Sequence, residues 1–450
     1  MSQEPIPPDP AASGRSRPDG WLRRLAVLLN ARPQELGGMI AAFLCAFCMF
    51  SSYSILRPIR ETMGITSGVS TLPALFWGTF VAMLVVQPIY GWLTSRLRRS
   101  TFLPWVYLFF ILNILGFHAW FNAQADHTWI ARAYFIWVSV FSLFVVAVFW
   151  SLMADVFSRD QAGRLFGFIA AGISLGGLFG PFLGQRLAQP LGTINLLLVS
   201  AALLAASLAF LLRVLSWHRR HGENVAAGTD RDARLGGTAL AAFRQVASSP
   251  YLALLALFVL LLTWVSTFLY LEQQALVAEV FTSRDERTRF FSTIDFWVQA
   301  GSLTTQLLLF GRLFRWLGLR TLLVSVPLLM AAGYSVLALY PQFAVLVAVM
   351  MVRRIGEYSI TRPSRDTLYT VVSREERYKA KSLIDTFVYR GGDATAASLH
   401  ALLKSIGLGV SGIAWFGAAI AGVWAFVAWR LGTRATALRS RLSAPTRTGS

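Results

Sequence analysis

The chain has 450 residues, of which 55% are apolar and 14% charged, with a mean hydropathy of +0.56. That balance lies far outside the soluble average and points to a polytopic membrane protein. A formal net charge of +19 raises nucleic acid as a partner, but the arginines crowd into connecting segments, which argues for a bilayer instead.

Residues 1–36 read as a polar cytoplasmic arm carrying Arg15, Arg17, Arg23, Arg24 and Arg32, with nothing that reads as a cleavable signal. Its stretch WLRRLAVLLN fits an interfacial amphipathic helix and an uncommitted arm equally well. A bilayer-spanning helix needs about 20 mostly apolar residues. Twelve such stretches follow, near 37–58, 70–93, 102–121, 130–153, 165–186, 192–212, 250–271, 290–311, 321–340, 343–366, 382–403 and 408–429. The predicted fold class is therefore an all-α polytopic membrane protein. Arginines fill the loop Arg96 to Arg99, the segment 213–249, the loop Arg312 to Arg320 and the tail after Arg430, all on one side if twelve helices alternate. The positive-inside rule makes that side the cytoplasm and both termini cytoplasmic. Loops 122–128 and 341–342 carry little positive charge, and in 272–289 acidic residues offset the arginines. The expected organisation is an arm (1–36), a six-helix bundle (37–212), a cytoplasmic linker (213–249), a second six-helix bundle (250–430) and a basic tail (431–450). A bacterial inner membrane is the expected location.

Cys45 and Cys48 form a C-x-x-C inside the first span; with no other ligand type nearby, packing is the expected role. The six-and-six division prompts a search for an internal repeat. VFSRDQAGRLFGFI from Val156 lies over VVSREERYKAKSLI from Val371, and the same offset sets SLGG at Ser174 over YRGG at Tyr389. GWLTSRLRRS at Gly91 matches GRLFRWLGLR at Gly311 after a small shift. In span five, Gly172, Gly176, Gly180 and Gly184 make a stripe without side chains at four-residue spacing, which lets another helix approach closely.

The charges inside spans are the main functional signal. Arg353 and Arg354 fall near mid-membrane, where an arginine costs about 2.5 to 3.5 kcal/mol on insertion scales. At about 100° per residue, Arg354, Tyr358, Thr361, Arg362 and Arg365 share one side of span ten, flanked by Glu357 and Arg353. Span eleven carries Asp385, Arg390 and Asp393, the last two spaced for an i, i+3 salt bridge. Span one ends in YSILRPIRETMG, where Tyr53, Arg57 and Arg60 or Glu61 share a face and Pro58 is expected to bend the helix. Span eight contributes Asp295 and Gln299. Some of these charges are expected to pair and lock helices together; the deep ones are mainly basic. Arginine forks bind phosphate or carboxylate bidentately, so a small organic anion is the expected cargo. Only three of the 41 basic residues are lysines, a bias that also fits a GC-rich genome.

With these features the chain resembles the major facilitator superfamily, whose two six-helix halves surround a central cavity. G-x-L-x-x-R-x-R-R at Gly91 to Arg99 resembles its cytoplasmic loop motif, with Ser95 where an acidic residue is usual. GGLFGPFLG at Gly176 to Gly184 is similar to the G-x-x-x-G-P-x-x-G of fifth helices in its antiporters. A narrower resemblance is to the nucleotide transporter family typified by the ATP/ADP translocases of plastids and intracellular bacteria. It rests on YSILRPIRETMG and on RPSRDTLYTVVSREERYKAKSLIDTF. The resemblance implies that spans one, four, seven and ten line the cavity and that exchange proceeds by alternating access. Arg57, Arg60 and Glu61, then Arg362, Asp366, Tyr369, Lys379, Lys381 and Asp385, are the residues matching that family, Arg60 and Glu61 replacing its commoner Lys and Asp.

The expected substrate-binding set is accordingly Arg57, Arg60, Arg353, Arg354, Tyr358, Arg362 and Arg390. Glu61, Asp295, Glu357, Asp385 and Asp393 are expected to couple or pair, and Arg96, Arg99, Arg312, Asp366, Tyr369, Lys379 and Lys381 to gate or link the halves. Antiport of a nucleotide or related organic anion is the leading reading. Proton-coupled transport of another solute, with Asp295 or Glu357 as carriers, and a non-transporting membrane scaffold are the alternatives. No G-x-x-x-x-G-K-[ST], H-E-x-x-H or G-x-S-x-G occurs, and His118, His127, His218, His221 and His400 show no ligand spacing. An enzyme, a cofactor, a metal and a nucleic-acid partner are therefore not expected, and a monomer is. His118 and His400, inside spans, are expected to pack or to bond backbone.

Overall fold

The computed structural model describes residues 31–96, 99–221, 239–373, 376–377, 380–381 and 383–443. Regular structure among them is helical, without strands. Helix α1 (Leu36–Thr66) is followed by α2 (Leu72–Arg96), α3 (Arg99–Ala123), α4 (Thr128–Val156), α5 (Arg159–Leu191) and α6 (Leu196–His221). After the short α7 (Ala239–Ser248) come α8 (Pro250–Val280), α9 (Arg284–Thr305) and α10 (Gly311–Leu339). Then α11 (Phe343–Gly356), α12 (Arg362–Leu368), α13 (Tyr389–Ser405) and α14 (Val410–Ser443) complete the chain.

Nine helical stretches among the described residues are long and apolar enough to cross a membrane. One of them, Arg284–Leu339, joins α9 to α10 through a π turn at Gln306–Phe310 and breaks only at Gly318, whose φ of 72° lies in the left-handed region that favours glycine. The expected loop Arg312 to Arg320 is thus helical on both sides of one glycine. Segments 343–368 and 383–405 fall outside the nine; they carry Arg353, Arg354 and Glu357, and Asp385, Arg390 and Asp393, within about one span's length.

Several expected boundaries shift. α8 runs to Val280, so Glu272 and Gln274 lie inside a helix and are buried rather than in a loop. α1 passes through Pro58 without interruption. Pro363 acts more strongly. Without an N–H it cannot bond back to Ser359, and the N–H of Arg362 reaches the carbonyl of Glu357, five residues earlier. The resulting π turn, Glu357–Thr361, inserts a residue and rotates everything beyond it by about 100°.

The glycine stripe works as its spacing predicts. A Cβ on Gly172, Gly176 or Gly180 would stand 2.6, 2.5 and 2.5 Å from the carbonyl oxygens of Phe43, Phe47 and Ser51. α5 therefore lies directly on the backbone of α1, one glycine per turn. Both copies of the repeated loop build the same local structure. Ser158 caps α5 in a reciprocal box with Gln161, and Ser373 and Glu376 exchange the same two bonds.

Two hydrophobic cores form, one from residues between Leu36 and Leu215 and one from residues between Val246 and Ala435. The two groups of helices meet along α5 against α9, where Gly184 faces Ser292, and along α2, where Trp77 donates to Ser398 of α13 and Gln87 to Thr386 in the π turn Leu383–Val388 just before it. They also close at the end of the bundle where α1 and α8 finish. There Ile65, Val277 and Phe291 share a small core with Val69, Phe281 and Phe343. Thr62 and Thr288 hydrogen-bond at 2.8 Å, Asp285 accepts from the N–H and hydroxyl of Thr193, and Arg289 donates to Gln189.

Candidate functional site

Asp295, 5% exposed on α9, is the centre of a network joining three helices. Its Oδ1 lies 2.5 Å from Nη2 of Arg354 on α11, and its Oδ2 lies 3.7 Å from Nε of Arg57 on α1. Arg57 also donates to the phenol of Tyr358 at 3.1 Å. A carboxylate shared by two guanidiniums offsets charge that burial would otherwise make very costly, and here it also ties the first half of the chain to the second.

One turn along α1, Arg60 is held by Glu61 at 2.8 Å, donates to Ser139 of α4 at 3.2 Å, and stacks over Phe135 with its guanidinium 4.7 Å from the ring centroid. Glu61 in turn accepts from Gln274 of α8 at 3.0 Å, a second polar tie between the halves. On α11, Arg353 donates to Glu357 and to Ser266, both at 2.6 Å. Arg60, Arg353 and Arg354 each keep a buried Nε without a hydrogen-bond partner.

A small cavity of about 20 Å³ lies between the halves, lined by Arg60, Phe76, Thr79, Phe135, Arg390 and Asp393 together with Ser139. Arg390 pairs with Asp393 at 3.5 Å, the i, i+3 bridge expected from spacing, and Asp393 also accepts from Thr267 of α8. The pocket thus has arginines from both halves, aromatic walls and neutral hydroxyls.

Other expected residues lie apart from this centre. Beyond the π turn, Arg365 is buried and pairs with Asp385 at 3.3 Å, whereas Arg362 is exposed and takes no part in the network. The expected shared face of Arg354, Arg362 and Arg365 is corrected accordingly, because the inserted residue turns Arg362 away. Asp366 pairs with Lys381 at 2.9 Å, and the Lys381 ammonium sits over the ring of buried Tyr369. Arg312 is exposed. Arg96 ends α2 and Arg99 opens α3; Lys379 lies outside the described residues. Both cysteines are free and buried, and Cys45 contacts Ser207. No group of three or more His, Cys, Asp or Glu side chains able to hold a metal occurs among the described residues.

Sequence reasoning missed Gln274, Ser139, Ser266 and Thr267, neutral residues that carry no signal until a neighbour is known. It also missed Glu272, which bonds His400 at 2.7 Å and Lys404 at 3.2 Å. Just before α1, Glu35 receives both terminal nitrogens of Arg164, each at 3.0 Å, with further bonds from the Arg32 N–H and Gln161. Burial alone would raise the pKa of Glu35, but these hydrogen bonds outweigh it and hold the carboxyl below its ordinary value.

Long apolar helices in two packed groups, with a charge network buried where they meet, define a membrane transporter. The chain belongs to the Major Facilitator Superfamily, whose family model matches residues 40–392. Among curated relatives it is similar to ADP,ATP carrier protein 2 of Chlamydia pneumoniae, 26% identical over 194 residues, which is 36% of each chain. It is also similar to ADP,ATP carrier protein 1 of Chlamydia trachomatis serovar D, 21% identical over 87% of each chain. The first of these matches thus spans only about a third of that relative's length. Among solved structures, a bacterial homologue of the iron transporter ferroportin in its inward-facing state superposes with a TM-score of 0.65 at 12% identity, covering 89% of this chain and 99% of that one. The nucleoside transporter NupG superposes with a TM-score of 0.58 at 15% identity, covering 90% and 99%. These likenesses are of fold.

Proposed function

We propose that the chain is a secondary antiporter that exchanges organic anions, nucleotides or related phosphorylated metabolites, across a bacterial inner membrane. In this reading twelve spans form two six-helix halves, 37–212 and 250–430, joined by the cytoplasmic linker, with both termini in the cytoplasm and the monomer as the working unit. The observation that carries it is the charge count at the centre. Arg57, Arg60, Arg353 and Arg354, four guanidiniums, face Asp295, Glu61 and Glu357, three carboxylates, leaving one positive charge and several unpartnered donors in a buried site. An anion is the ligand that such a site favours. The similarity to ADP,ATP carriers along most of the chain supports a nucleotide as that anion.

The mechanism follows from the same contacts. A phosphate reaching the arginines competes with Asp295 and Glu61 for them. Those carboxylates sit in ties between the halves, Arg57 with Asp295 and Glu61 with Gln274, so ligand binding and the packing of the halves are linked. The closed end near Ile65 and Phe291 is the outer one in the proposed topology. Energy comes from the exchanged solute, since the sequence contains no ATP-binding loop motif.

The test is uptake of labelled ATP into proteoliposomes preloaded with ADP. Uptake that requires internal ADP is expected, and Arg354→Gln is expected to lower it at least about tenfold while the protein still inserts and folds. No uptake by folded, inserted protein would remove nucleotide exchange, and unchanged uptake in the variant would remove Arg354 from binding. A non-transporting scaffold predicts impaired folding in that variant and no flux in the parent.

A further inference from the structure

A second polar cluster on α8 lies apart from the Asp295 network. Glu272 and His400 are buried, 3% and 7% exposed, and joined through Oε1 and Nε2 at 2.7 Å. Lys404, one turn beyond His400 on α13, reaches the same carboxylate at 3.2 Å, and its own side chain is 40% exposed. Among the described residues the other imidazole nitrogen, Nδ1, has no hydrogen-bond partner. The remaining neighbours are few. Phe268 of α8 presents its ring to the imidazole, and the Tyr334 phenol of α10, which donates to the Val265 carbonyl, lies within electrostatic reach of Glu272 and of Arg353 on α11.

The cluster is one rung of a polar seam. Seven residues before His400, two turns or about 10 Å along α13, Asp393 accepts from Thr267 of α8 and lines the central pocket beside Arg390. Between the helices, a Cβ on Gly392 would collide with Thr263, so α8 and α13 are packed too closely to change charge at one rung without consequence at the next. The seam thus runs from an exposed ammonium, through a carboxylate and an imidazole, to the acid and arginine of the pocket.

We infer that the Glu272–His400 pair is a proton-binding site, reached from the α13 end through Lys404, whose occupancy sets the rate of the transport cycle. Imidazole is the side chain whose charge changes between about pH 5 and 8, and intramembrane His and carboxylate chains are a physical route for protons. Asp295, committed to two arginines, serves as their counter-ion instead.

Two measurements test the inference, one of them independent of substrate. Full-length protein labelled with 15N-histidine and reconstituted in lipid is titrated by solid-state NMR, the His400 signal being the one lost in His400→Gln. A transition of that signal between about pH 5 and 8 that is displaced in Glu272→Gln is expected; one unchanging protonation state across the range would overturn the site. In the second, ATP/ADP exchange by proteoliposomes is followed against external pH. A pH-dependent rate in the parent and a flat profile in an active His400→Gln variant are expected, whereas a parent-like profile in the variant would overturn the role. A merely structural histidine would lower the rate equally at every pH and would likewise overturn it. This second experiment rests on the nucleotide reading. Absence of exchange with a titrating His400 would reject that reading and leave the proton site standing.

Discussion

α5 and the segment from α11 to α13 stand for two ways of building a membrane helix, although the sequence alignment from Val156 and Val371 sets α5 over α13, the last part of that segment. α5 runs 33 residues from a capping box, buries a stripe of glycine against backbone, and contains no buried charge beyond its first turns. The α11–α13 segment holds two π turns, Glu357–Thr361 and Leu383–Val388, and around them Arg353, Arg354, Arg365, Arg390 and their carboxylate partners. Close packing of backbone on backbone makes a seam that moves as one body. π turns leave carbonyl and amide groups less regularly bonded and place side chains off the α-helical register, which suits positions that bind and release. α5 therefore reads as part of a rigid frame and the α11–α13 segment as a part that carries adjustable chemistry.

The strongest way to break this contrast is to add volume to the frame. Gly176→Leu places a Cβ 2.5 Å from the Phe47 carbonyl and further atoms inside α1. Backbone cannot yield as a flexible side chain does, so a loss of at least about 3 kcal/mol and failure to give a monodisperse folded species are expected. Gly422→Leu on α14, where nothing lies within 4 Å of the added Cβ, is expected to behave as the parent in size-exclusion chromatography and thermal melting. Equal tolerance of both changes would show that the stripe does not fix α5 on α1.

A change of comparable size is expected at the centre for a different reason. Asp295→Asn leaves Arg354 and Arg57 buried without their shared carboxylate, costing about 3–5 kcal/mol. The double variant Asp295→Asn with Arg354→Gln removes one of the stranded charges and is expected to melt at a higher temperature than Asp295→Asn alone. If the double variant is the less stable of the two, Asp295 contributes by packing and not as a counter-ion.

How much of this was legible in the sequence follows from the same contrast. The glycine stripe and the i, i+3 pair of Arg390 and Asp393 were readable because each depends on spacing along one helix. The π turn before Pro363 was not, since spacing arguments assume a constant 100° per residue, and it displaced Arg362 from the face assigned to it. Glu272 was missed because an acidic residue after an apolar run looks like the beginning of a loop. In α8 that carboxylate is buried and accepts from His400 and Lys404, some 130 positions away. Neutral partners such as Gln274 and Ser139 acquire a role only through residues on other helices.

The smallest expected effect sharpens the frame side of the contrast. Glu35 joins the start of α1 to the start of α5 through Arg164, and its hydrogen bonds hold its pKa below the ordinary 4.5. A carboxyl whose pKa falls on folding contributes stability that is fully present above its unfolded value and is lost as pH drops through its folded value. Glu35→Gln is therefore expected to cost about 1 kcal/mol near neutral pH, the bridge being partly solvated at Arg164. Below about pH 4.5 the difference in melting temperature between parent and variant is expected to shrink, because protonation of Glu35 removes the same interaction. A difference that stays constant from pH 7 to below 4.5 would mean that Glu35 acts through the bonds its neutral form retains, those from Gln161 and the Arg32 N–H, and the ion pair with Arg164 would then be incidental to the α1–α5 frame.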